Sequence, residues 1–221
     1  MTTSENAGEI KPAGECWVLV EEEDRGFEGS CVRRCFSIRR KQGHELTILY
    51  AEHHIAKISS AQHAFAVTSG MGALDVIFRL LKPGEEIIAG NDLYGGSNRL
   101  LGYLKTHNGI HTHHVDTTVP SSLLPILTNP DSKVSMVLLE TPTNPLLQIA
   151  DIAAIADLVH QYKPDALVVV DNTMMSPYLQ RPLEHGADIV YDSGTKYLSG
   201  HHDLMAGVIT CSRADVAKVR R

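Results

Sequence analysis

The sequence has 221 residues, of which 43% are hydrophobic and 21% charged, and its formal net charge is -6. These proportions are typical of a globular protein and exclude a disordered or fibrous chain. An acidic balance lacks the basic excess that binds a phosphate backbone, so nucleic acid is not an expected partner. No apolar run reaches the length of a bilayer span, so a membrane is not expected either.

The first fifty residues differ from the rest of the chain. Glu21–Asp24 is acidic, Arg39–Lys41 is basic, and no long periodic segment connects these two runs. We therefore predict that residues 1–50 form a divergent, poorly ordered segment, and that a separate domain occupies residues 51–221.

From Ala51 onward, helix and strand patterns alternate. Predicted strands occupy 63–68, 86–89, 111–115 and 133–140, and further strands begin at Ala166, Asp188 and Ala206. Helical spacing predicts the end of a helix at 52–58, helices starting near Ala73 and Ser97, a helix from Ile152 to before Pro164, and the start of a last helix at 214–221. Repeated strand and helix units predict an α/β fold with a mostly parallel sheet and helices on both faces.

The cysteine pattern bears on the compartment. Cys16, Cys31, Cys35 and Cys211 form neither a disulfide framework nor a paired zinc knuckle. No secretory segment follows the polar start of the chain. These features predict a reducing, cytoplasmic location.

Four histidines crowd one region and raise the question of a metal. His111 and His113 project to one face of the predicted strand and His114 to the other, so these residues and His107 are not expected to converge. The alternative reading is a set of partly exposed sheet residues, and we predict no metal site.

Two predicted strands end near residues that could take part in catalysis. The buried run Ala166–Val170 ends in Asp171, and the run Ile189–Tyr191 leads through a turn of hydroxyl residues and glycine to Lys196. Ligands of open α/β sheets bind beyond the carboxyl ends of the strands. An amine and a carboxylate in that position match what pyridoxal phosphate (PLP) requires, namely a Schiff-base partner and a group that keeps the pyridine nitrogen protonated.

Five sequence motifs then indicate a family. They are Val67–Ala73 (VTSGMGA), Asp92–Gly96 (DLYGG), Glu140–Pro145 (ETPTNP), Val170–Thr173 (VDNT) and Ser193–Asp203 (SGTKYLSGHHD). In this order they resemble the Cys/Met-metabolism family of fold type I PLP enzymes, and within it the fungal-type cystathionine β-lyases. The resemblance implies the large domain of the PLP-dependent transferase-like, aspartate aminotransferase-type fold over residues 51–221, truncated before a C-terminal domain.

The same resemblance implies roles for individual residues. Lys196 would carry PLP and act as the catalytic base, and Tyr94 would stack on the cofactor ring and assist proton transfer. Asp171 would pair with the pyridine nitrogen, and Asn144 with the phenolic oxygen. The phosphate would be bound by backbone N–H groups of Gly70 and Met71 and by the hydroxyls of Ser193 and Thr195.

The implied reaction is β-elimination of cystathionine to homocysteine, pyruvate and ammonia, a step of transsulfuration and methionine biosynthesis. A homo-oligomer is expected, because sites of this family are built across subunits. A γ-lyase or γ-synthase of the same family stays open, since it shares these motifs. So does a non-catalytic PLP-binding fragment, because the chain has no match to the family's phosphate-binding Tyr-x-Arg element or to its carboxylate-binding arginine.

Overall fold

The computed structural model of the protein describes residues 43–201 and 203–213. A compact unit begins at Thr47 and contains a seven-stranded sheet. The predicted helix at 214–221, the charged runs of the first fifty residues and three of the cysteines lie outside the described residues. The strands are β1 (His63–Val67), β2 (Glu86–Gly90), β3 (His111–Val115), β4 (Val134–Glu140), β5 (Leu167–Asp171), β6 (Ile189–Ser193) and β7 (Gly207–Cys211).

The sheet has the order β1-β7-β6-β5-β4-β2-β3 and is mostly parallel, as predicted. Strands β6, β5, β4, β2 and β3 run in one direction, whereas β7 is antiparallel to both β6 and β1. The central strands β4 and β5 are continuous apolar runs because both of their faces are covered.

Helices lie on both faces of the sheet. The α-helices are α1 (Gly43–Ile58), α2 (Gly70–Phe78), α3 (Gly95–Asn108), α4 (Leu124–Leu127), α5 (Ile152–Tyr162) and α6 (Ser176–Leu179), with short 3₁₀ turns at Pro120–Leu123 and Pro182–His185. None of the described helices is both long and apolar enough to cross a bilayer.

The core divides into two apolar clusters, one on each face of the sheet. On the first face, α2 and α3 pack against alternate residues of the strands, such as Leu138 and Val169. On the second face, α5 buries Ile152, Ile155, Ala156 and Val159, the stripe predicted from sequence, against the other residues of the same strands. The alternation of side chains along each strand decides which residues reach which face.

The boundary predicted at Tyr50 falls within a helix, because α1 runs from Gly43 to Ile58. Its buried residues include Glu52 and Ala56, one helical turn apart, and Ser59, just after its end, is buried as well. Glu52 Oε1 accepts the Ala66 N–H at 2.8 Å and so connects the helix to β1. The sequence pattern predicted only the end of this helix, at 52–58. Its earlier residues 47–51 are exposed or half-buried, so they form no apolar stripe that would reveal a helix.

Candidate active site

The carboxyl ends of β2, β4, β5 and β6 lie at one edge of the sheet, here called the carboxyl edge. Asp171 is the last residue of β5, and Tyr94, Asn144 and Lys196 follow within four residues of the ends of β2, β4 and β6. Each of these strands therefore delivers one of the predicted site residues to the same edge.

The turn between β1 and α2 forms a cradle beside β6. Ser69 caps α2, its hydroxyl accepting the Gly72 N–H at 3.0 Å. A Cβ added to Gly70 would lie 2.9 Å from the Cβ of Ser193, so the start of the helix touches the end of β6. The N–H groups of a first helical turn have no partner within the helix, and the helix dipole there favours an anion. Gly70 and Ser193 are thus brought together, with Met71 next in the chain, in an arrangement suited to a phosphate; their binding of a phosphate stays a prediction.

Tyr94 lies next to this cradle. A Cβ added to Gly96 would meet the Tyr94 ring at 2.5 Å and the Met71 Sδ at 2.9 Å, so these two side chains converge over a glycine. Half of the Tyr94 side chain is exposed, which leaves an aromatic surface open at the carboxyl edge.

Asp171 lies between two strands that also end in polar residues. It pairs in register with Glu140 of β4 and with Tyr191 of β6, and all three residues are on the first face. Its carboxylate accepts hydrogen bonds from the Thr173 N–H at 2.9 Å and from the Tyr191 hydroxyl. Burial nevertheless raises the pKa of Asp171. Within the described ranges no ion pair involves this carboxylate, so it is suited to a cationic ligand group.

Glu140 was not predicted as a site residue, although it begins one of the five motifs. Its side chain is buried, and Oε2 accepts the Tyr94 N–H at 2.9 Å. Burial raises the pKa of Glu140 to about 7; hydrogen bonds from the backbone N–H groups of Tyr94 and Asn144 oppose this rise, and the charges of Asp171 and Asp92 add to it. The signal that singled out Asp171, an acid ending a buried strand, applies equally to Glu140.

In the turn after β6, the side chain of Lys196 is exposed, whereas the hydroxyl of Thr195 is hydrogen-bonded to the backbone. The Lys196 N–H donates to the Ser193 carbonyl at 3.0 Å, and the lysine side chain is exposed at the carboxyl edge. The Thr195 hydroxyl bonds to the backbone of Ala206, accepting its N–H at 3.1 Å. The phosphate-binding role of Thr195 therefore stays a prediction, and this hydroxyl already has a partner within the chain.

His111, His113 and His114 lie on β3, the strand at one end of the sheet order. The rings of His111 and His113 share a face, with centroids 5.2 Å apart, whereas His114 Nδ1 lies 3.1 Å from the Gly90 carbonyl oxygen. The predicted alternation is confirmed. No group of three or more His, Cys, Asp or Glu residues in the described part of the chain could hold a metal ion. His202, in the last motif, is outside the described residues.

Comparison with known proteins extends the resemblance found in the motifs. The family model for Cys/Met metabolism PLP-dependent enzymes matches residues 36–221, so the match begins before Ala51. Cystathionine beta-lyase from Neurospora crassa is 59% identical over 170 residues, covering 77% of this chain and 36% of that protein. Its counterpart from Schizosaccharomyces pombe is 48% identical over 165 residues, covering 75% and 42%.

A solved structure shows the same fold. Cystathionine gamma-lyase from Lactobacillus plantarum, complexed with L-serine, superposes with a TM-score of 0.71 at 39% sequence identity. The superposition covers 76% of this chain and 43% of that one. The chain thus spans about two fifths of the length of the curated relatives it matches.

Proposed function

Because the chain belongs to the Cys/Met metabolism family of PLP-dependent enzymes, we propose that it provides the cofactor-binding domain of a carbon–sulfur lyase of the cystathionine β-lyase type. The observation that carries the proposal is the delivery of Lys196, Asp171, Tyr94 and Asn144 to one edge by four neighbouring strands. The identity of 59% with a fungal cystathionine beta-lyase favours β-elimination over related reactions.

The residues present fit PLP on two structural grounds. The first is the cradle at Gly70 and Ser193, which a single added methyl group would fill. The second is the Asp171 carboxylate, which is costly to ionise in its buried setting and which a positively charged ligand group would stabilise. Gly70, Met71 and Ser193 would bind the phosphate, Asp171 would hold a proton on the ring nitrogen, and Tyr94 and Asn144 would orient the ring.

Lys196 would act on the amino-acid substrate cystathionine. PLP, when bound, supplies an electron sink for the bond broken at the α-carbon. The Lys196 amine would take the α-proton, which breaks the C–H bond, and the C–S bond at the β-carbon would then break with loss of homocysteine as a thiolate. Tyr94 would assist this proton movement from its position at the edge. Water would then hydrolyse the remaining three-carbon unit to pyruvate and ammonia.

The proposal is tested first by cofactor binding. The 221-residue chain mixed with PLP is expected to develop a visible absorption band, which Lys196→Ala abolishes. Lys105→Ala, an exposed lysine on α3, serves as the matched control and should leave the band intact. A parent chain without a band would contradict the proposal.

Product analysis then separates the remaining alternatives. Release of pyruvate from cystathionine supports the β-lyase, whereas a four-carbon keto acid would indicate the γ-lyase. The γ-lyase is considered because the fold is similar to that of the Lactobacillus plantarum enzyme. A visible band without any product would favour the PLP-binding, non-catalytic alternative.

The proposal also includes the wider setting expected from the sequence. It assigns residues 51–221 to the PLP-binding domain and expects a homo-oligomer in the cytoplasm. The one cysteine among the described residues, Cys211, is a buried thiol, which is compatible with a reducing compartment.

A further inference from the structure

Glu140 joins two loops that carry proposed cofactor-contacting residues. Its carboxylate accepts the N–H of Tyr94, in the loop after β2, at 2.9 Å, and the backbone of Asn144, in the loop after β4, is near enough to lower its pKa. Tyr94 is 46 residues away in sequence, so this contact depends on the neighbouring position of β2 and β4 in the sheet. A single side chain thereby fixes the backbone at both proposed ring contacts.

A second carboxylate connects the same two loops in the opposite direction. Asp92, two residues before Tyr94, accepts the Leu146 N–H through Oδ2 at 3.2 Å. Asp92 is partly exposed, whereas Glu140 is 5% exposed. A hydrogen bond to a charged group contributes more where water cannot compete, so Glu140 should be the stronger of the two connections.

We infer that Glu140 is a positioning residue that sets the placement of Tyr94 relative to Asn144 at the proposed cofactor site. This inference rests on the proposed function. The alternative is that Glu140 only satisfies buried backbone N–H groups and stabilises the fold. In that case its loss would lower the stability of the chain without changing what Tyr94 contributes to PLP binding.

Two substitutions remove the hydrogen-bond acceptors of Glu140 to different extents. Glu140→Leu removes both acceptor oxygens, and Glu140→Gln keeps one within nearly the same volume, so Gln remains informative if Leu does not fold. We expect the PLP dissociation constant to rise about tenfold for Glu140→Leu, which loses both acceptors. For Glu140→Gln, which loses one, we expect a rise of about threefold. Asp192→Asn, a buried carboxyl on the second face of the same edge, should change it less than about twofold.

A double-mutant cycle then separates positioning from stability. PLP affinity is measured by titration of the visible band for the parent chain, Tyr94→Ala, Glu140→Gln and the double variant, beside urea unfolding of each without PLP. If Glu140 positions Tyr94, then Tyr94→Ala weakens binding less in the Glu140→Gln background than in the parent, by up to about threefold. Equal costs in both backgrounds would overturn the inference while leaving the proposed function intact. A parent chain that binds no PLP would overturn both.

Discussion

At the scale of single residues, the carboxyl edge carries several buried acidic side chains that form no ion pairs with the described basic residues. Glu140 and Asp171 lie on the first face and Asp192 on the second, and in the described ranges none of the three forms an ion pair. Burial raises the pKa of Asp192 to about 7, with a further contribution from the charge of Asp171, and its Oδ1 has no hydrogen-bond partner among the described residues. The folded protein therefore holds protons that its unfolded chain would release.

The buried carboxyl of Asp192 predicts a pH-dependent stability. Because the pKa of Asp192 is raised from 3.8 to about 7 in the folded state, its contribution to the free energy of unfolding is fully present below about pH 3.8 and is lost as the pH rises from there through about 7. Asp192→Asn removes this loss and should be more stable than the parent at about pH 8 by roughly 3 kcal/mol, with little difference at about pH 4. Urea unfolding at both pH values measures this, and an equal effect at both would contradict the assignment.

At the scale of elements, α2 is held against the sheet by a close backbone approach. A Cβ added to Gly207, the first residue of β7, would overlap the Ser69 carbonyl group and lie 2.8 Å from the Gly70 nitrogen. Glycine is required here because no side chain fits between the strand and the start of the helix. This contact places the Gly70 N–H group at the end of β6.

Substitution of Gly207 is therefore expected to affect both stability and binding. Gly207→Ala must push the Ser69–Gly70 turn away from the sheet, which should lower the free energy of unfolding by about 3 kcal/mol and weaken PLP binding. Gly102→Ala in α3 is the control, since its added Cβ meets nothing within 4 Å. It should raise the unfolding free energy by roughly 0.5–1 kcal/mol. Urea denaturation compares the two, and similar effects from both would show that the close approach is unimportant.

At the scale of the whole molecule, the loops beyond β4 and β5 expose large apolar side chains. Tyr178 is 91% exposed, and Leu146, Ile149 and Leu179 are each exposed by more than half. The two loops are connected, because the Gln180 side-chain amide donates to the Thr141 carbonyl at 3.1 Å. Apolar surface of this kind is typical of a protein contact, which agrees with the homo-oligomer expected from the resemblance.

Self-association through these loops is a testable consequence. Replacing both Tyr178 and Leu179 by Ser should raise the dissociation constant between copies about tenfold or more, because apolar area is lost from the contact. Tyr103→Ser changes a tyrosine of α3 that is also more than half exposed, and should leave association unchanged. Sedimentation equilibrium measures both variants. A parent chain that stays monomeric at high concentration would exclude this surface as a self-contact.

The sequence alone determined the order of helices and strands and the position of Asp171 and Lys196 at strand ends, because buried apolar runs and turn residues are local signals. Only the tertiary structure decided that Glu140 and Asp192 are buried, that a polar-sided helix begins at Gly43, and that Gly207 must lack a side chain. Those properties depend on groups distant in sequence, such as the Tyr94 N–H beside Glu140 and the Ser69 carbonyl beside Gly207. A local sequence pattern cannot predict these properties, because burial depends on the residues that folding brings together.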